Sequence, residues 1–144
     1  MTQEDKNLLL KDLCARLLYL ENWVQYEGKD YIVTGYGHGR VSLLTSMFSS
    51  AVGPCPLVEE VKPYLCSLSS MTEEEKAELK EEHKKDERIY TEIIERIANG
   101  DEHARGTAVP HFAVDWCNEH HFDYRGLIEK GLAIEVTPEN NPYK

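Results

Sequence analysis

The stretch that most limits what this chain can fold into runs from Trp23 to Thr45. Trp23-Val24-Gln25-Tyr26-Glu27 and Asp30-Tyr31-Ile32-Val33-Thr34-Gly35-Tyr36 flank Gly28-Lys29, and Gly37-His38-Gly39 precedes Arg40-Val41-Ser42-Leu43-Leu44-Thr45. Aromatic and β-branched residues favour a pleated, half-buried surface, and glycine supplies the tight reversals between such runs. The spacing predicts three strands joined by two hairpin turns, a small antiparallel meander. Gly35, Gly37 and Gly39 superficially suggest a phosphate-binding loop, but their spacing is not G-x-G-x-x-G and no helix start follows them, so the turn reading prevails.

Helices are predicted on both sides of this sheet. Thr2 and Asp5 have the spacing of an N-terminal cap with an acid in the first turn, and Leu9, Leu10, Leu13, Cys14 and Leu17 follow on one helical face, giving a helix over roughly 3–17. A second start stands at Ser69-Ser70-Met71-Thr72-Glu73-Glu74-Glu75, where Thr72 and Glu75 form a capping box. The helix it opens has an acidic half over 73–88, with little apolar face beyond Ala77 and Leu79. Its second half carries Ile89, Tyr90, Ile93, Ile94, Ile97 and Ala98, and Asn99-Gly100 supplies a stop. The first half is expected to project into solvent or to meet a partner, while the second docks on the core.

Two other segments are assigned from punctuation. Gly53-Pro54-Cys55-Pro56 marks a loop, and Leu57–Leu65 is expected to return to the sheet with Val58, Val61 and Leu65 inward, Pro63 requiring an edge or a strand end. After a connector from Asp101 to Pro110, Ala113–His120 reads as a helix. A second short helix is expected from Phe122-Asp123, with Asp123 as its cap, Phe122 stapled to Leu127 and Gly131 as its left-handed stop. Leu132–Val136 is a candidate last strand, and Thr137–Lys144 a frayed tail. The resulting expectation is a single α+β domain over 1–144. It consists of a helix at 1–18, a small antiparallel sheet at 22–66 tending toward an SH3-like barrel, an acidic helix at 70–99 and a helix–corner–helix frame at 111–136.

Charge narrows the function classes. The formal net charge is −10, and the segment 73–102 holds twelve acidic against six basic residues, so most of the excess is local. Nucleic-acid binding draws on Lys and Arg that release condensed counterions, which disfavours direct contact with DNA or RNA; an anionic membrane surface is disfavoured for the same reason. The opening Met1-Thr2-Gln3-Glu4-Asp5-Lys6 has acids where a signal peptide needs basic residues, and no apolar run approaches a membrane span. A soluble cytoplasmic protein is the expectation, with Cys14, Cys55, Cys66 and Cys117 as mostly buried free thiols. The acidic run, with Glu78, Glu81 and Glu82 at its centre, is either a solvated helix face or a surface for a basic protein partner.

The densest concentration of reactive groups is Asp115–Ala133. Cys117, His120, His121 and Asp123, with Asp115 and His111 nearby, suggest a transition-metal site, or a nucleophile, base and orienter of a small hydrolase. Against the metal stands the missing second pair of ligands, unless His38, Cys55 or Cys66 folds over. Against the triad stands the geometry of one helix, which holds residues three apart side by side. The structural alternative makes Trp116 and Cys117 packing groups and leaves His120 and His121 at a corner between helices. Arg125 is either a pocket for a carboxylate or phosphate, in a small-ligand binder that also uses the tyrosines of the sheet, or an ion-pair partner of Asp123 or Glu129. No cofactor is implied.

Three blocks also carry a resemblance. The opening 1–17, the pair Val61-Lys62-Pro63-Tyr64-Leu65 and Ser69–Glu75, and the stretch Asp115–Ala133 together resemble a family of short, uncharacterised proteins from gut anaerobic bacteria, their phages and mobile elements. The resemblance covers about a third of the chain. It implies a constant frame carrying a variable sheet and acidic helix, and it carries over no activity and no catalytic residue. Where that family has Leu after the Trp, this chain has Cys117, which argues for a packing substitute over a metal ligand. The leading expectation is a non-enzymatic interaction or accessory protein of phage or mobile-element type, acting through its acidic helix; the alternative is a metal-binding protein or small hydrolase using Cys117, His120, His121 and Asp123.

Overall fold

The structure, a computed structural model, describes residues 1–17, 19, 21–46, 52–84 and 111–143. The predicted Ile89–Ala98 face and the Asn99-Gly100 stop lie outside the described residues. The chain is α+β, and its residues group into two compact units, Met1–Leu65 with Leu127–Lys144, and Cys66–Gly126.

The first unit is built on a five-stranded sheet. Its strands are β1 (Trp23–Tyr26), β2 (Lys29–Gly37), β3 (Arg40–Leu44), β4 (Lys62–Leu65) and β5 (Ile134–Glu135), in the order β3-β2-β1-β4-β5. The three-strand meander stands as predicted. Both turns have left-handed central residues, Glu27 and Gly28 at φ 49° and 73°, His38 and Gly39 at φ 55° and 75°. Two such residues in succession make a turn whose twist matches that of the flanking strands. A bulge between Val33 and Gly35 shifts the register, so that Tyr31, Val33 and Tyr36 of β2 share a face with Val41 and Leu43 of β3.

Two expectations about the sheet change. It is mixed, because β5 runs parallel to β4, with Tyr64 opposite Ile134. It is also open, with β3 and β5 at its borders, so it does not close into a barrel. β4 has neighbours on both sides instead of forming an edge, and Pro63 is tolerated because the ladder to β1 is only two pairs long and Pro63 stands one residue from the strand's start. Val58–Glu60, expected in that strand, forms a 3-10 turn ahead of it.

Helix α1 (Gln3–Arg16) lies against the sheet. Its start is the predicted one: Asp5 N donates to Thr2 Oγ1 at 3.1 Å and Thr2 N to Asp5 Oδ2 at 3.2 Å. Its buried face differs. Leu9, Asp12, Leu13 and Arg16 point inward, while Leu10 is half-buried and Cys14 exposed. These four follow the i, i+3, i+4, i+7 rule of a single helical face, with an ion pair completing what the leucines begin. Arg16 Nε and one terminal nitrogen donate to the two Asp12 oxygens at 2.9 and 3.0 Å, with both side chains at most 2% exposed. Asn22 Nδ2 donates to the Arg16 carbonyl and, at 2.8 Å, to that of Tyr19, closing the end of the helix. Leu9 and Leu13 pack with Val24, Val33, Val41, Leu43, Val58 and Val61.

The Gly53–Val58 segment covers the outer edge of β3. Val41 N donates to Pro56 O at 2.9 Å, Leu43 N to Pro54 O at 3.1 Å, and Val58 N to Gly39 O at 3.0 Å. Gly53 is needed there for space, since a Cβ at that position would fall 1.7 Å from the Leu43 carbonyl oxygen.

The far end of the first unit departs from expectation in two ways. Residues 127–130 form one turn, with Gly131 (φ 71°) stopping it as predicted, Gly131 N bonding to Ile128 O and Leu132 N to Leu127 O. No second helix forms here; Leu127 packs with Leu65, Leu132 and Ala133. Nor is the segment after Val136 frayed, for it is tied through Asn140 and Tyr143 to β5 and β4.

Helices α2 (Glu73–Lys84) and α3 (His111–Glu119) belong to the second unit, where a 3-10 turn at Leu68–Ser70 leads into α2. The predicted capping box is present: Glu75 N donates to Thr72 Oγ1 at 3.1 Å and Thr72 N to Glu75 Oε1 at 2.9 Å. Among the described residues no helix is long and apolar enough to cross a membrane.

Two tests follow from the first unit. Gly53→Ala should destabilise the protein by about 1–3 kcal/mol, the range for an atom forced into filled space, as read from the midpoint of urea unfolding; an unchanged midpoint would contradict the close approach to β3. The second concerns Lys6 Nζ, 2.9 Å from Glu59 Oε1, whose hydrogen bond holds the Glu59 carboxyl below its usual range. A depressed carboxylate stabilises the fold fully above its unfolded value of 4.5 and loses that contribution as pH falls through the lower folded value. Glu59→Gln should therefore narrow the stability gap to wild type as pH falls below 4.5, measured by thermal melts across an acid pH series.

Candidate functional site

The candidate residues of the second unit gather at the end of α3 and along α2. Leu79 anchors α2: it is fully buried with Leu68, Met71, Trp116, Cys117, Phe122 and Tyr124. The described part of the acidic helix is therefore docked through this residue. Successive residues turn by about 100°, a consequence of 3.6 residues per turn, so Glu74, Ala77, Glu78 and Glu81 lie on the side away from Leu79 or flanking it, and all four are exposed. Glu82 lies in the helix, its side chain outside the described set.

α3 ends in a turn that assigns both histidines. His121 N bonds to Asn118 O at 3.3 Å and Phe122 N to Cys117 O at 2.8 Å, with His121 at φ 63°. This is the Schellman arrangement, in which the left-handed position is usually a glycine and the next residue packs back on the last helical turn. Phe122 and Cys117 share the apolar cluster accordingly. The same arrangement recurs at Gly131, so His121 occupies the place that glycine holds there.

His120, one residue earlier, continues the face of Trp116. Their rings stack with centroids 4.1 Å apart and planes 19° from parallel, and Phe122 lies against Trp116 at 5.5 Å and 9°. His120 Nδ1 is 3.0 Å from the Trp116 carbonyl oxygen, and Nε2 faces Glu78 Oε1 at 3.6 Å. That separation is too long for a hydrogen bond but short enough for an ion pair when the ring is protonated. The contact joins a residue of the acidic helix to one of the histidines. The i, i+4 spacing of Trp116 and His120 is visible in the sequence, whereas the Glu78 contact depends on how α2 and α3 pack.

The nucleophile and metal readings find little support in this geometry. Cys117 is fully buried in the apolar cluster and Asp123 is 1% exposed. Buried structural thiols are inert, because the reactive thiolate needs a polar, accessible setting. Among the described residues no three His, Cys, Asp or Glu side chains are placed to hold a metal ion. Cys117 and His120 leave α3 in different directions, one into the cluster and one toward Glu78. Arg125 engages Tyr124, its guanidinium lying 4.7 Å from the ring centroid and donating to the hydroxyl at 2.6 Å. It stands in a bend instead of the predicted first helical turn.

Comparison with family models, characterised proteins and solved structures found no match. The site is therefore argued from its own geometry. In the first unit, an open groove of about 540 Å3 runs beside Glu4, Asn7, Leu8, Leu10, Lys11 and Cys14. It includes Cys14, an exposed residue whose thiol is partly desolvated, which pushes it up, away from the thiolate form.

Two substitutions separate the side chain of His121 from its backbone. Alanine removes the imidazole and keeps the cost of the left-handed conformation, whereas glycine removes both. His121→Gly should be more stable than His121→Ala by about 1–2 kcal/mol, the cost of that conformation for a residue with a Cβ. Equal melting temperatures for the two variants would speak against the capping geometry.

Proposed function

We propose that this chain is a non-enzymatic interaction protein that binds a basic protein partner through the outward face of α2. The observation that carries this reading is the stripe Glu74, Glu78 and Glu81, exposed on a helix held to its own unit by Leu79. Residues three and four apart on a helix lie about 5–6 Å from one another, so the stripe offers carboxylates in a row. Lys76, the first basic residue of α2, turns to Glu73 at 3.0 Å, off the stripe. A net charge of −10 adds long-range attraction for a positive surface. The burial of Cys117 and Asp123 supports the same side, as a hydrolytic or metal centre would need them accessible. The proposal also takes in the phage or mobile-element context that the resemblance described above suggests.

Reversing the charge of the face is the direct test. Like-charge juxtaposition in an interface costs several kcal/mol. Glu78→Lys, Glu81→Lys and Glu82→Lys together should therefore weaken binding to an isolated partner by about a hundredfold, and added salt should weaken wild-type binding progressively. Calorimetric titration of both proteins against the same partner gives the comparison. Equal affinities would remove α2 from the interface.

A further inference from the structure

A sheet with open borders offers unpaired backbone groups to any extended chain, including another copy of itself. At one border, β3 directs its outward groups to Gly53–Val58, where the Pro54 and Pro56 carbonyls accept from Leu43 and Val41. Proline has no N–H, so this cover takes bonds from the sheet while offering a weakened edge to a newcomer.

The other border is β5, where the cover is different. Val136 N bonds to Leu65 O at 2.9 Å, so Val136 points its backbone toward β4. Neighbouring residues of a strand alternate, and Glu135 must therefore direct its own N–H and C=O outward. Its carbonyl is already taken: Asn140 Nδ2 donates to it at 3.0 Å. The same amide accepts from Thr137 N through Oδ1 at 2.7 Å, and Asn140 N bonds to Thr137 O at 3.2 Å, which fixes the Asn in a tight turn beside the strand. Farther along, the Tyr143 hydroxyl donates to the Tyr64 carbonyl of β4 at 2.7 Å. One side-chain amide thus occupies the position that the backbone N–H of a sixth strand would take, and a tyrosine pins the segment that carries it.

We propose that Thr137–Tyr143 is a strap that closes the β5 edge against a second copy of this chain. A second copy is the fitting occupant because the edge would be self-complementary: with the strap lifted, Glu135 and Thr137, which alternation turns outward together, present the groups that the same residues of another chain require, in antiparallel pairing about a twofold axis. The side-chain hydrogen bonds from Asn140 and Tyr143 to the sheet are each worth about 0.5–1.5 kcal/mol, so removing both weakens the hold on the edge. When the strap lifts, the sheet extends across two molecules.

Sedimentation equilibrium on the full chain tests this. Wild type should keep the monomer mass from micromolar to near-millimolar concentration. Asn140→Ala combined with Tyr143→Phe should raise the average mass toward twice that value as concentration increases. Asn140→Asp provides a nearly isosteric second variant, which keeps the acceptor for Thr137 N but sets an oxygen against the Glu135 carbonyl, and it should dimerise in the same way. Adding Glu135→Pro to either variant should restore the monomer, because the lost N–H points outward and serves no bond within the sheet. Variants that keep the wild-type circular dichroism spectrum and remain monomeric throughout overturn the proposal. So does a dimer that persists with Glu135→Pro.

Discussion

The buried Asp12–Arg16 pair sets the orientation of everything packed on α1. An ion pair out of water is costly to desolvate and is tolerated when its geometry is good and its hydrogen bonds are made. Here two parallel bonds join the groups within one helix. Leu9 and Leu13 share that face, and their contacts with Val24, Val33, Val41 and Leu43 follow from it. Breaking a buried pair of this kind by removing one partner costs about 3–5 kcal/mol. Rotating the helix to bury Leu10 and Cys14 would carry the pair toward solvent and break the apolar contacts together.

That pair also explains how far the sequence could be read. Local signals were legible: the Thr2–Asp5 and Thr72–Glu75 caps, the two hairpin turns, the Gly131 stop and α3 all depend on residues a few positions apart. Predictions requiring distant partners fared differently. Apolar spacing alone makes Leu9, Leu10, Leu13, Cys14 and Leu17 the inside of α1 and carries no sign that Asp12 is buried. The parallel register of β5, the interior place of β4 and the Tyr143 bond to β4 are all settled by contacts across long stretches of chain. The expected helix after Phe122 failed for a nearer reason. His121 takes the left-handed conformation there, and Phe122 turns back on Trp116 and Cys117.

The same distinction applies to the candidate site. The acidic helix and the two adjacent histidines were visible as separate features. The structure gives the histidines different tasks, with His121 ending a helix and His120 stacked on Trp116 and facing Glu78. Cys117 and Asp123, which made the stretch look reactive, are interior residues. Proximity in sequence on one helix said that these groups are close; it did not say which of them reach the surface.

Parallel neighbours such as β4 and β5 cannot be joined by a tight turn and require a crossover. In this chain the crossover contains the whole second unit, since Leu65 closes β4 and Ile134 opens β5 on the far side of Cys66–Gly126. The meander of β1, β2 and β3 can assemble early from near neighbours, whereas β5 must wait until the intervening chain has returned. Loop closure becomes costlier only slowly as the loop lengthens. The strand order therefore tolerates changes in the length of the crossover, because the cost of closing it changes little.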